Sequence, residues 1–462
     1  MRRRTFLATT ATGLAALAGC LDGGTDGTDG TTTGDRPRAG SARTTTNRPG
    51  RTATRSGASR SPETSPTPGP GPETSATPGS DTGRGTLTDP SPVGDPDEPA
   101  SVESAWPAPA HDAGFTHGVP GVSGPSAAVA ELWAVEAGAP VSTPVLTDGT
   151  LYVGAGDGTV LALEARNGTE RWRRSVGGAA GAPWVRDGRV YVPTGEAIAV
   201  LSTGDGSEQF RVETPERADD VSSSGALVRA AVLVAPHGLY WVANEDGPTL
   251  VATPVEGGTE QWRTSLGDAW DLPVFASEDT VYVSSGTRDS RFWQFDPETG
   301  EVLAPEPRYG ADFPAEECYA DGTVYAVEPF FGSVRATPVT EGGDGWSTGV
   351  PAGCEAGGGR LSAGDARVYY VSNADDGPGL TALAKTDGSK AWTAEVNGIV
   401  IGRPVVSGAG VIVPTDSALR CFDRTDGTEV WTRERSVGNR LVVADNLVYA
   451  VGDGAVRALR PP

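Results

Sequence analysis

The sequence predicts an all-β fold: an eight-bladed β-propeller of four-stranded antiparallel blades, closed by an N-terminal strand that completes the last blade. Three observations predict it. Residues 151–172 (LYVGAGDGTVLALEARNGTERW) alternate apolar runs with turns at Asp157-Gly158 and Asn167-Gly168 before ending on an aromatic; such dipeptides supply the positive φ angles of two-residue hairpins. The same pattern recurs down the chain at a spacing of about 40 residues, as radially repeated four-stranded sheets require. The last unit stops one strand short at Pro462, while residues 131–135 (ELWAV) precede the first unit with no blade of their own.

In chain order, residues 1–20 read as an export signal. Arg2-Arg3-Arg4-Thr5-Phe6-Leu7 contains the twin-arginine pattern, and small apolar residues lead to Leu17-Ala18-Gly19-Cys20. The uncharged run 5–19 is shorter than the roughly 20 residues that span a bilayer. Its end is similar to a lipobox, so Cys20 is the expected lipidation site. The body is then expected at the outer face of the cytoplasmic membrane, exported by the twin-arginine route and held by lipid alone.

Residues 21–104 contain no Phe, Trp, Tyr, Ile or Met and consist mostly of Thr, Gly, Ser, Pro, Asp and Arg. So little apolar surface cannot offset the entropy of ordering the backbone, which predicts a disordered tether. Its Ser, Thr and Pro suit an O-glycosylated stalk or a plain solvated linker. The chain carries 37 basic and 60 acidic side chains, a net −23. Residues 1–100 hold equal numbers of each sign, so that excess lies on residues 101–462, nearly all of it on the body, residues 105–462. A surface of this sign repels nucleic acid and anionic headgroups, so neither is an expected partner. Lys385 and Lys390 are the sole lysines; an acidic, lysine-poor surface is similar to that of proteins from extreme halophiles.

Within the body a closing residue recurs at Trp172, Phe210, Trp262, Leu303, Trp346, Trp392 and Trp431, and an apolar strand is marked by Tyr152, Tyr191, Tyr240, Tyr282, Tyr325, Tyr369, Ile412 and Tyr449. Turn dipeptides precede these strands at Asp148-Gly149, Asp187-Gly188 and Asp321-Gly322. An isolated blade cannot bury its faces, so neighbours must stack. An open ring would also expose two sheet edges. Trp133 lies 39 residues before Trp172, the spacing expected if the 131–135 strand closes the ring.

The pattern Tyr-Val … Asp-Gly … Ala-Leu … Thr/Asn-Gly … Trp resembles the repeats of pyrroloquinoline-quinone (PQQ) enzymes. It equally resembles their non-enzymatic relatives, including the propeller lipoprotein of the bacterial outer-membrane β-barrel assembly machine. Trp106-Pro107, Asp112 and Thr116 look like the lead-in of extracytoplasmic PQQ-like propellers. Together these resemblances point to a haloarchaeal lipoprotein of that family. For a quinoprotein the resemblance implies a quinone stacked over a Trp at the propeller's mouth, often under a disulfide of adjacent cysteines, with Ca²⁺ on Glu, Asn and Asp. Cys20, Cys318, Cys354 and Cys421 include no adjacent pair, and no Cys-x-x-Cys-His is present, so neither PQQ nor calcium is expected.

No catalytic set and no metal set are expected. His111, His117 and His237 are too few and scattered, and the first two read as exposed loop residues of the lead-in. Cys421 reads as core, and Cys318 with Cys354 as either a disulfide or two buried thiols. Asn167-Gly168-Thr169 is an N-glycosylation sequon, although hairpin geometry accounts for its Asn-Gly. Counting back nine from each strand marker gives Thr143, Ala182, Ala231, Pro273, Glu316, Arg360, Arg403 and Arg440. Arg360, Arg403 and Arg440 thus fall at one register of successive blades, near a mouth of the channel, with Trp184 and Trp270 beside them. Guanidinium forks suit carboxylate or phosphate; alternatively each pairs with local acids such as Glu316, Glu317 or Glu355. The function expected is a monomeric, non-catalytic scaffold binding a protein or surface ligand. A PQQ-dependent dehydrogenase of small alcohols or sugars, or a glycan or peptide recognition module, are the alternatives.

Overall fold

The structure is a computed structural model, and it describes residues 102–215, 232–244, 246–267, 273–285, 292–303, 316–328, 332–339, 345–351, 359–374 and 377–462. The chain divides into Met1–Thr88 and Asp89–Pro462, and every described residue belongs to the second unit. Cys20, Trp270 and Cys354 lie outside the described residues, as do the signal and nearly all of the expected tether.

The described residues form strands and no helix. They build eight antiparallel blades in sequence order, each running from an innermost strand outward. Blade one comprises Val145–Thr147, Thr150–Gly154, Thr159–Glu164 and Glu170–Ser175. Among the described residues, blade four has three strands, ending at Phe292–Phe295, with a single bridge from Phe295 to Val302 where an outer strand would pair. Blade eight contains Arg440–Ala444, Leu447–Gly452 and Ala455–Arg460 and takes its outer strand from Ala130–Glu136, pairing Trp133 with Ala458. The N-terminal strand therefore closes the ring, as the orphan strand requires. The turns expected at Asp148-Gly149, Asp187-Gly188 and Asp321-Gly322 have positive φ at both residues, the I′ geometry that matches strand twist.

The strand markers form the cores between blades: Tyr152, Tyr191, Tyr240, Tyr325, Tyr369, Ile412 and Tyr449 are all buried. In blades one, three, five and six the closing tryptophan fastens the blade to the next. Trp172 donates its Nε1–H to the Thr203 carbonyl at 2.9 Å, Trp262 to Pro297 at 2.9 Å, Trp346 to Lys385 at 2.8 Å and Trp392 to Arg424 at 3.0 Å. Blade eight has no turn between its third and outer strands, since those strands come from opposite ends of the body. Trp431 of blade seven donates instead to the Pro125 carbonyl at 2.8 Å.

Residues 103–123 run around the channel-facing edges of the innermost strands. Trp106 exchanges backbone hydrogen bonds with Leu146 of blade one, at 2.7 and 2.8 Å. Val185 of blade two donates to Pro107, Ala276 of blade four to Ala113, and Tyr319 of blade five to Gly114. Ala363 of blade six donates to Thr116, and Val406 of blade seven to His117, beside the parallel pairing of Gly118–Val119 with Val405–Ser407. Blade eight holds both ends: Asp445 accepts from the Glu103 and Ser104 amides, and Asn446 donates to Ser123. Val102 is buried too. An innermost strand has a free edge of amides needing acceptors, and this segment supplies them. His117, expected on an exposed loop, is buried for this reason.

Candidate functional site

The register that carries the arginines lies at or just before the starts of the innermost strands. Arg360 opens Arg360–Ala363, Arg440 opens Arg440–Ala444, and Arg403 stands two residues before Val405–Ser407. In blades one, two and four to seven, the residue three positions further on meets the lead-in. The channel is consequently floored, and a well of about 450 Å³ remains on the side of the strand starts. Pro109, Ala110, Phe115 and His117 of the lead-in line it, with Thr143, Ala182 and Pro273 of the shared register. Most of its wall is apolar, including Trp184 and Phe275, while Arg403, Arg440 and Glu317 bring charge.

Arg403 donates from Nη2 to Glu316 Oε2 across two blades, with both side chains 8% exposed. The acid of the pair comes from the same register as the base, one of the local pairings foreseen for these arginines. Nε and Nη1 of Arg403 are buried with no hydrogen-bond partner. Arg440 donates to the Val141 carbonyl at 3.2 Å and has no carboxylate within ion-pair distance among the described residues. Burial lowers its pKa from the ordinary value. Arg360 is lowered by burial as well, with Glu316 opposing the shift and Arg403 adding to it. Glu317 accepts from the Ser284 hydroxyl. His117 is held well below the usual imidazole range, first by burial and then by Arg403 and His111, so its ring is neutral at ordinary pH.

The structure brings Arg403, Arg440 and Trp184 to one cavity, while Glu316 acts through Arg403. The remaining sites are scattered. Asn167 is exposed, its Oδ1 accepting the Thr169 amide at 2.9 Å. Cys318 is a fully buried thiol of blade five, its pKa pushed up to about 12 by burial; Cys421 is buried in blade seven and raised to about 12 for the same reason. Sequence reasoning missed the floor. Residues 103–123 have no strand period, because most of their contacts are short backbone matches made in turn to different blades. The available signal was Asp112, whose carboxylate takes the amides of Gly114 and Thr116 and the Thr116 hydroxyl, a local turn inside an otherwise featureless stretch.

Among the described residues, no three His, Cys, Asp or Glu side chains gather as a metal site. Glu317 is the one described carboxylate lining the well. The donor set there does not match a calcium-assisted quinone site, and no step through one is derived.

Blades, closing strand and well define a β-propeller of PQQ-like repeats. The family model described as outer membrane protein assembly factor BamB matches residues 122–239 and 330–462, more than half of the chain, and the chain belongs to this family. No curated protein matches it in sequence. Among solved structures, BamB from Moraxella catarrhalis is similar at 17% identity, with 72% of this chain and 98% of that one covered and a TM-score of 0.53. Quinohemoprotein alcohol dehydrogenase from Comamonas testosteroni is similar at 14% identity, with 78% and 82% covered and a TM-score of 0.55. The computationally designed Ika8 protein shares 13% identity, with 73% and 100% covered and a TM-score of 0.56. At these identities the likenesses speak for the fold.

Proposed function

We propose that the protein is a non-catalytic, lipid-anchored propeller that acts as a binding scaffold on the outer face of the cytoplasmic membrane. Membership of the BamB family supports a scaffold. The observation that carries the reading is the chemistry of the well. Glu316 is committed to Arg403, and Glu317 accepts from Ser284, so neither carboxylate stands ready to hold a cation or take a proton from a substrate. The anchor and export route rest on Arg2, Arg3 and Cys20.

Two experiments test this. Purified full-length protein receives PQQ and Ca²⁺ with an artificial electron acceptor and a panel of alcohols and sugars. No dye reduction is expected, and substrate-dependent reduction would replace the scaffold by a dehydrogenase. Cys20→Ala is expected to release the protein from membranes into the medium, and Arg2→Lys with Arg3→Lys to retain it in the cytoplasm. Unchanged membrane association of both variants overturns the anchored reading.

A further inference from the structure

The well contains more positive hydrogen-bonding capacity than its own wall uses. Arg403 has a side chain 8% exposed, and its Nε and Nη1 are buried with no hydrogen-bond partner among the described residues. An unmade bond on a buried guanidinium costs free energy, so an acceptor brought beside Arg403 would recover part of that cost. Arg440, at the equivalent register of the adjacent blade, lines the same cavity and, among the described residues, donates to the Val141 carbonyl. A carboxylate offers two oxygens in a plane that matches a guanidinium edge.

The rest of the wall restricts what carries that acceptor. Trp184, Phe275 and Phe115 line the same space, and a bare inorganic ion would leave these rings against water. An apolar body would fill the well and remove that surface from solvent. Arg403 already shares its charge with Glu316, and Arg440 has no carboxylate within ion-pair distance among the described residues, so a negatively charged acceptor suits Arg440's side of the well. Residues 103–123 lie along the inner strand edges beneath the well, and the ligand must fit within about 450 Å³.

We propose that the well binds a small organic monocarboxylate with an aromatic or branched apolar body, its carboxylate bridging Arg403 and Arg440. This rests on the reading of the well as a binding site without catalysis.

The test is calorimetric titration of purified full-length protein with 3-phenylpropionate, 4-methylpentanoate and benzoate. The neutral 3-phenylpropanamide and sodium sulfate serve as comparisons. At least one acid is expected to bind, with the amide and sulfate each tenfold weaker or worse. Arg440→Gln should weaken the acid at least tenfold without moving the melting temperature, since the arginine's partner among the described residues is a carbonyl, and Arg440→Lys should restore part of the affinity. Equal binding of acid and amide, sulfate matching the acids, no binding of any acid, or an Arg440→Gln variant that binds like the parent overturns the proposal. The two readings fail separately. Dye reduction with added quinone refutes the non-catalytic scaffold, whereas charge-independent binding refutes the carboxylate site alone.

Discussion

Trp133 lies with its indole ring over Gly168, so close that a Cβ at residue 168 would fall 2.8 Å from the ring, and its Nε1–H donates to the Ala165 carbonyl at 3.1 Å. One residue belongs to the strand that completes blade eight and the other to the outer turn of blade one. Their contact is the seam of the ring. Gly206, Gly300, Gly388 and Gly427 meet Trp172, Trp262, Trp346 and Trp392 in the same way, so the seam repeats the ordinary joint between blades. Tyr449 strengthens it by donating to the same Ala165 carbonyl at 3.1 Å.

Breaking that joint should open the molecule. Trp133→Ala is expected to cost about 3 kcal/mol, the lower end for removing a large aromatic, because the ring is half-buried. Gly168 has φ of 73°, and Gly168→Ala should cost more than about 1 kcal/mol through backbone strain alone, with the indole clash added. Urea unfolding midpoints measure both. A midpoint unmoved by Trp133→Ala would show that the ring is held shut elsewhere.

The Arg403–Glu316 pair should be costly to break and inexpensive to replace. Glu316→Gln leaves a buried guanidinium without its carboxylate and is expected to lose about 3–5 kcal/mol. Glu316→Leu combined with Arg403→Met should restore most of that loss, since the pair's desolvation cost disappears with it. Thermal unfolding of the single and double variants decides between a stabilising pair and one kept for the well.

Acidification should act through His117. Its folded pKa lies below the unfolded value of about 6.5, so beneath pH 6.5 the unfolded chain binds a proton that the native chain refuses. Stability therefore rises with pH through this window and is lost as pH falls below about 6.5. Melting temperatures between pH 5 and 8 should show the slope, and His117→Gln should flatten it. An equal slope in the variant would assign the dependence to other groups.

Cys318 and Cys421 should be inert in the native state. Both are buried and raised to about 12 by burial, so almost no thiolate is present at pH 8 to react. Iodoacetamide is expected to label them only after denaturation. Native labelling at the rate of a free thiol would mean that blade five or blade seven opens readily.

The sequence by itself determined the architecture, since it is written in local periods: an Asp-Gly turn, an apolar strand, a closing aromatic, repeated until one blade lacked a strand and another strand lacked a blade. Such signals are read over a few residues at a time, and even the common register of Arg360, Arg403 and Arg440 followed from counting along the chain. Only the tertiary structure decided what fills the channel. Residues 103–123 meet seven of the eight blades at sites from tens to hundreds of residues away, such as Trp106 with Leu146 and Ser104 with Asp445, which leaves no period to read. It also decided that Arg403 turns to Glu316 while Arg440 meets a carbonyl. Equal registers place side chains at one height, but which neighbour each one reaches depends on the distance across the ring.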